Sequence, residues 1–71
     1  MKTKPYKLGW YKVVEEWKND GSVDMSVHDE RDGTIVELHC DTFVDYDQVL
    51  ERLARRPEVG TLEKIRQLMA A

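Results

Sequence analysis

A chain of 71 residues with one cysteine, Cys40, has no internal disulfide open to it and holds one small domain, residues 1–71, with a modest core. Its 14 acidic and 11 basic residues leave a net charge of −3. No apolar run approaches the length of a membrane span, no apolar segment of the signal-peptide kind is present, and a lone thiol fits a reducing compartment, so a cytoplasmic protein is expected.

The charge is segregated along the chain. Residues 1–14 carry four lysines and no acid, a balance of +4. Residues 15–47 carry eleven acids against Lys18 and Arg31, a balance of −9, and residues 48–71 return to +2. An acidic middle repels phosphate and attracts basic surfaces.

The opening stretch MKTKPYKLG reads as a basic leader into the first element. WYKVVEEWKNDGS, residues 10–22, is ambiguous on its own. Trp10, Val13, Val14 and Trp17 fit a helical stripe, whereas Tyr11, Val13, Glu15 and Trp17 alternate as in a strand. Asp20-Gly21 and Asp32-Gly33 decide the matter: two turn dipeptides flank alternating runs, which is the pattern of consecutive hairpins. Strand 1 is therefore expected over residues 10–18. Its loop, Asn19 to Gly21 with Gly21 left-handed, pairs Lys18 with Ser22, Trp17 with Val23, Glu15 with Met25 and Val13 with Val27. A four-residue loop, Glu30 to Gly33, then pairs Val27 with Val36, Met25 with Leu38 and Val23 with Cys40.

The remainder supplies a cover for the apolar face. Asp45 and Gln48 form a capping box with Val44 and Val49 as staple, predicting a helix from about Tyr46 to Arg56 with Val49, Leu50, Leu53 and Ala54 inward and Pro57 as its stop. Thr61 is placed to cap a second helix carrying the stripe Leu62, Ile65, Leu68 and Met69. The expected fold is α+β: a three-stranded antiparallel β-meander, order β-β-β-α-α, with two helices packed on one face. Its core is Val13, Trp17, Val23, Met25, Val27, Val36, Leu38, Leu50, Leu53, Ile65 and Leu68.

The face left open presents Trp10, Lys12, Val14, Glu16, Asp24, Ser26, His28, Ile35, Glu37 and His39. Glu16 sits opposite Asp24, a like-charge pair that costs stability. No catalytic constellation emerges. Cys40 and His39 point to opposite faces, as do Glu15 and Glu16, so neither pair can act together. His28 and His39 are offset diagonally, which disfavours a zinc site and favours a surface Asp24–His39 pair. No enzyme activity, cofactor or metal is expected. Trp10 beside Val14 and Ile35 either anchors a partner or folds over the sheet edge or under the N-terminal leader. Arg52, Arg55 and Arg56 form a basic edge on the first helix.

Two resemblances follow from this layout. Gly9-Trp10, the two Asp-Gly turns and the junction from Phe43 to Leu50 resemble the arm-binding domain of phage integrases, in which a three-stranded sheet reads the DNA major groove. Here the sheet face is acidic where that family's is basic. Over nearly the whole chain, the turn Asn19-Asp20-Gly21-Ser22, the acidic-aromatic junction from Asp41 to Tyr46 and the Gly60 break before a closing helix look like a small type I-F anti-CRISPR protein of phages. That resemblance implies a sheet backed by two antiparallel helices and a non-catalytic inhibitor of a basic, guide-RNA-holding protein surface. The expected contact residues are Trp10, Glu16, Asp24, Asp29, Glu30, Asp32, Ile35 and Glu37. The expected partner is a basic protein surface such as a CRISPR surveillance complex, met without direct nucleic acid or membrane contact by a monomer or weak homodimer. The alternative is a DNA-binding or recombination accessory domain, with Lys2, Lys4, Lys7 and the arginine edge on phosphates.

Overall fold

A computed structural model describes residues 2–55 and 58–70. Four strands, β1 (Tyr6–Leu8), β2 (Tyr11–Trp17), β3 (Val23–Asp29) and β4 (Ile35–Cys40), are followed by two helices, α1 (Phe43–Arg55) and α2 (Thr61–Ala70). The strands form one antiparallel sheet in the order β1-β2-β3-β4. The class is α+β, as expected, but the sheet has four strands rather than three. The extra strand lies in the stretch taken for a leader. Tyr6 and Leu8 lean on the core while Lys7 points out. Three residues are too short for alternation to show. Gly9, at φ 62°, turns the chain back so that Leu8 meets Tyr11. A glycine first in a two-residue loop is the arrangement a tight hairpin needs, because other residues resist positive φ.

Registers of the two long hairpins match the expectation at every pair. Trp17 faces Val23, Glu15 faces Met25 and Val13 faces Val27. Val27 faces Val36, Met25 faces Leu38 and Val23 faces Cys40. The first loop closes through Lys18 N–H to the Ser22 carbonyl at 2.9 Å, with Gly21 left-handed at φ 88°. Asp20 holds the turn by accepting from the Ser22 amide at 2.9 Å and its hydroxyl at 2.7 Å, the side-chain-to-backbone bond that makes Asp a turn residue.

The helices begin differently from the expectation. α1 starts at Phe43, three residues early, because Thr42 is its cap: the Thr42 hydroxyl accepts the Asp45 amide at 3.2 Å and its carbonyl accepts the Tyr46 amide at 3.1 Å. Asp45 is thus a first-turn acid, and Val44 is exposed rather than stapled to Val49. α2 begins at Thr61, but the Gly60 carbonyl accepts its first bond, from Lys64 at 3.3 Å, while the Thr61 hydroxyl turns to Glu58. The predicted helix end at Arg56 and the stop at Pro57 lie outside the described residues.

The core comprises Tyr11, Val13, Val23, Met25, Val27, Val36, Leu38, Cys40, Val49, Leu53, Leu62 and Ile65. Trp17 and Leu50 are only partly buried at its margin, and Ala54 is exposed. Leu68 is a correction: it is 60% exposed. The α2 stripe is buried through Leu62 and Ile65 and then continues into solvent, because the small sheet offers no further area to cover.

Candidate functional site

Both helices cover one face of the sheet, so the other stays open. Alternation along the strands assigns it Lys12, Val14 and Glu16 from β2, Asp24, Ser26 and His28 from β3, and Ile35, Glu37 and His39 from β4. At one end of this face the chemistry is acidic. Glu16 lies opposite Asp24, and Asp24 opposite His39, as the register demands. The cost of the Glu16–Asp24 juxtaposition is offset by a residue that sequence reasoning left unused. Lys18 reaches Glu16 at 3.0 Å and Asp24 at 3.4 Å. Its ammonium holds Glu16 below the ordinary carboxylate value, and the two carboxylates raise Lys18 in turn.

His39 forms the second link in this cluster. Its Nδ1 lies 2.5 Å from Asp24 and its Nε2 2.9 Å from Asp41. Carboxylates only accept, so the protonated ring, which donates from both nitrogens, satisfies both contacts at once. The bond to Asp24, then that to Asp41, raises the His39 pKa. The same His39 bond is the main cause that lowers Asp24, with Lys18 adding to it. Asp41 belongs to this cluster and was missing from the expected contacts; its position one residue past β4 points it back along the strand end. Glu37 is exposed, and no ion pair engages it among the described residues. Lys2 borders the same shallow trough beside Glu16, Asp24 and Glu37.

The expected contact residues fall into two groups at opposite ends of the strands. Glu16, Asp24 and Glu37 share the acidic region. Trp10, Asp29, Glu30, Asp32 and Ile35 lie at and around the far end of β3, where Asp29 is five residues and about 17 Å from Asp24 at ~3.4 Å per residue. The far group is not an acidic surface. Asp29 is only 1% exposed and its carboxylate takes both the Nε and a terminal nitrogen of Arg31, each at 3.0 Å. That fork lowers the Asp29 pKa and closes the group to a partner. Glu30 pairs with Lys7 at 3.0 Å, and Asp32 accepts the Thr34 amide at 2.9 Å within its turn. Arg31 also lies over the rings of Trp10 and Tyr11, 5.8 and 5.6 Å from their centroids. Trp10 and Ile35 remain exposed, at 57% and 64%.

One buried acid escaped the sequence reading. Glu15 points into the core face, where Oε2 accepts from the hydroxyls of Tyr6 at 2.5 Å and Tyr46 at 2.6 Å, and Oε1 accepts from Trp17 Nε1 at 3.2 Å. Burial first, then the bond to Glu15, pushes the Tyr46 pKa up to about 12 and raises Tyr6 further. Parity alone places Glu15 inward, and three aromatic donors in reach of β2 are the signal that explains it. Cys40 is buried beside Met25, and burial raises its thiol pKa, which keeps it in the unreactive protonated form.

No protein-family model, curated protein or solved structure matches this chain.

Proposed function

We propose that this is a non-catalytic binding protein that docks the acidic end of its open sheet face on a basic, nucleic-acid-binding surface of another protein. The observation that carries the reading is the placement of Glu16, Asp24, Glu37 and Asp41 together on a face that neither helix covers. Ile35 at the far end of the same face and Trp10 in the turn before β2 supply exposed apolar area, suited to slowing dissociation once charge has guided the encounter.

The sharpest form of the proposal is inhibition of a type I-F CRISPR surveillance complex, from the resemblance in turn, junction and helix layout. A mobility shift of target DNA with that purified complex tests it: increasing amounts of this protein should abolish the shift, and the Glu16→Lys/Asp24→Lys/Glu37→Lys variant should not. Full DNA binding in the presence of excess parent protein would remove the anti-CRISPR form.

A second reading has one observation in its favour. Lys7, Lys12 and His28 stand side by side across β1, β2 and β3. Such a row could meet phosphates, as in a DNA-binding accessory domain. Retention of labelled duplex by the protein alone, lost steeply with added salt, would favour it over the acidic docking face.

A further inference from the structure

We propose that two copies of this chain associate through their helical layers, about a two-fold axis crossing the middle of α1. Seven large apolar side chains are exposed among the described residues, and five of them, Phe43, Val44, Val59, Leu68 and Met69, lie between positions 43 and 69 rather than on the sheet. Of these, Leu68 and Met69 line one groove together, and adjoining exposed apolar side chains are a mark of an interface. Between the helices runs a groove with Val49 and Ile65 in its floor, Leu68 and Met69 along the α2 side, and Asp45 and Arg52 along the α1 side.

The charges of α1 select the occupant. Asp45 and Arg52 are seven residues apart, two turns on one helix face and about 10.5 Å along the axis at ~1.5 Å per residue. The nearby arginines Arg55 and Arg66 are paired within the chain, to Glu51 and Glu63, but no intramolecular ion pair engages Asp45 or Arg52 among the described residues. A two-fold axis passing near Gln48 sets α1 antiparallel to its copy. Asp45 of one copy then faces Arg52 of the other, and the reciprocal pair forms by symmetry. Leu68 and Met69 of each copy cover the groove floor. A parallel arrangement would instead oppose like charges. The dimer leaves both open sheet faces outward, so it presents two docking faces and gains in avidity for a repeating partner.

Sedimentation velocity on the full chain, from low to high micromolar concentration at low salt, tests this. A reversible dimer is expected, abolished by Leu68→Glu, a change at an exposed position that circular dichroism should show to be folded. Asp45→Arg and Arg52→Asp should each weaken dimerisation by about tenfold or more, as loss of close charge pairs does at other interfaces. The double reversal D45R/R52D, with the composition of the parent, should restore it. A parent that stays monomeric, a larger assembly, a dimer indifferent to Leu68→Glu, or a double reversal no tighter than the single ones would overturn the proposal.

Discussion

Tyr46 of α1 donates its hydroxyl to Oε2 of Glu15 on β2 at 2.6 Å, tying the helical layer to the sheet across 31 positions of sequence. Tyr6 of β1 donates to the same oxygen. A single buried carboxylate thus joins the edge strand, the strand next to it and the first helix. Alanine removes both acceptor oxygens from three half-buried donors, whereas glutamine keeps one carbonyl oxygen for the tyrosine hydroxyls and puts an NH2 group in place of the other acceptor. Glu15→Ala should therefore cost more than Glu15→Gln, for which about 1–3 kcal/mol is expected. Urea unfolding of Glu15→Gln, Tyr46→Phe and the double variant should show effects that do not add. Additive losses would mean that the two groups do not act as a pair.

His39 supplies a pH dependence with a definite sign. Its folded pKa is raised by Asp24 and Asp41 above the ordinary value of 6.5. The stabilisation is fully present below 6.5 and is lost as pH rises through the folded value. Over the same interval the open face gains negative charge, so association with a basic surface should quicken. Proton NMR titration of the His39 ring should place its midpoint above 6.5, and Asp24→Asn should move it down. A midpoint at or below the ordinary value would contradict the doubly bonded ring.

Lys18 screens Glu16 from Asp24. Lys18→Met should lower the thermal midpoint at low salt, and added salt should shrink the difference, because exposed charges are screened over ~8 Å at physiological ionic strength. Pairing the change with Glu16→Gln, which removes the repulsion and leaves the Asp24–His39 contact in place, should recover the midpoint. A loss that persists unchanged in high salt would point to packing of the lysine stem instead of charge.

Leu53 is buried between α1 and the sheet. Leu53→Ala should cost about 2–5 kcal/mol in urea unfolding. A change below about 0.5 kcal/mol, the range of ordinary surface substitutions, would remove Leu53 from the core.

The long hairpins were legible because two Asp-Gly turns fix the phase of the alternation, and a slip of one residue would have put Glu16 or Asp24 against the core. The same parity carried the opposition of Glu16 to Asp24 and of Asp24 to His39. β1 was hidden by its length and by the Lys and Pro residues around it. Asp29 shows where composition misleads: it reads as one more turn acid, yet it continues the inward series Val23, Met25, Val27, and Arg31 two residues on neutralises it. The start of α1 was misplaced because both Thr42 and Asp45 are competent caps, and only the hydrogen bonds distinguish them. Leu68 was placed in the core because periodicity continues past the point where the sheet ends. The charge segregation was plain in the sequence, but its partial neutralisation by Lys18 and His39 depends on cross-strand neighbours.

The central claim is that the acidic end of the open face guides binding to a basic protein surface. Its most direct measurement is the association rate of the parent and of Glu16→Lys/Asp24→Lys/Glu37→Lys with immobilised type I-F surveillance complex, by surface plasmon resonance at low and physiological salt. Electrostatic guidance predicts that the reversal slows association by about tenfold or more at low salt, that salt slows the parent, and that dissociation changes little. Equal association rates for parent and reversal, with no salt dependence in the parent, would contradict the claim.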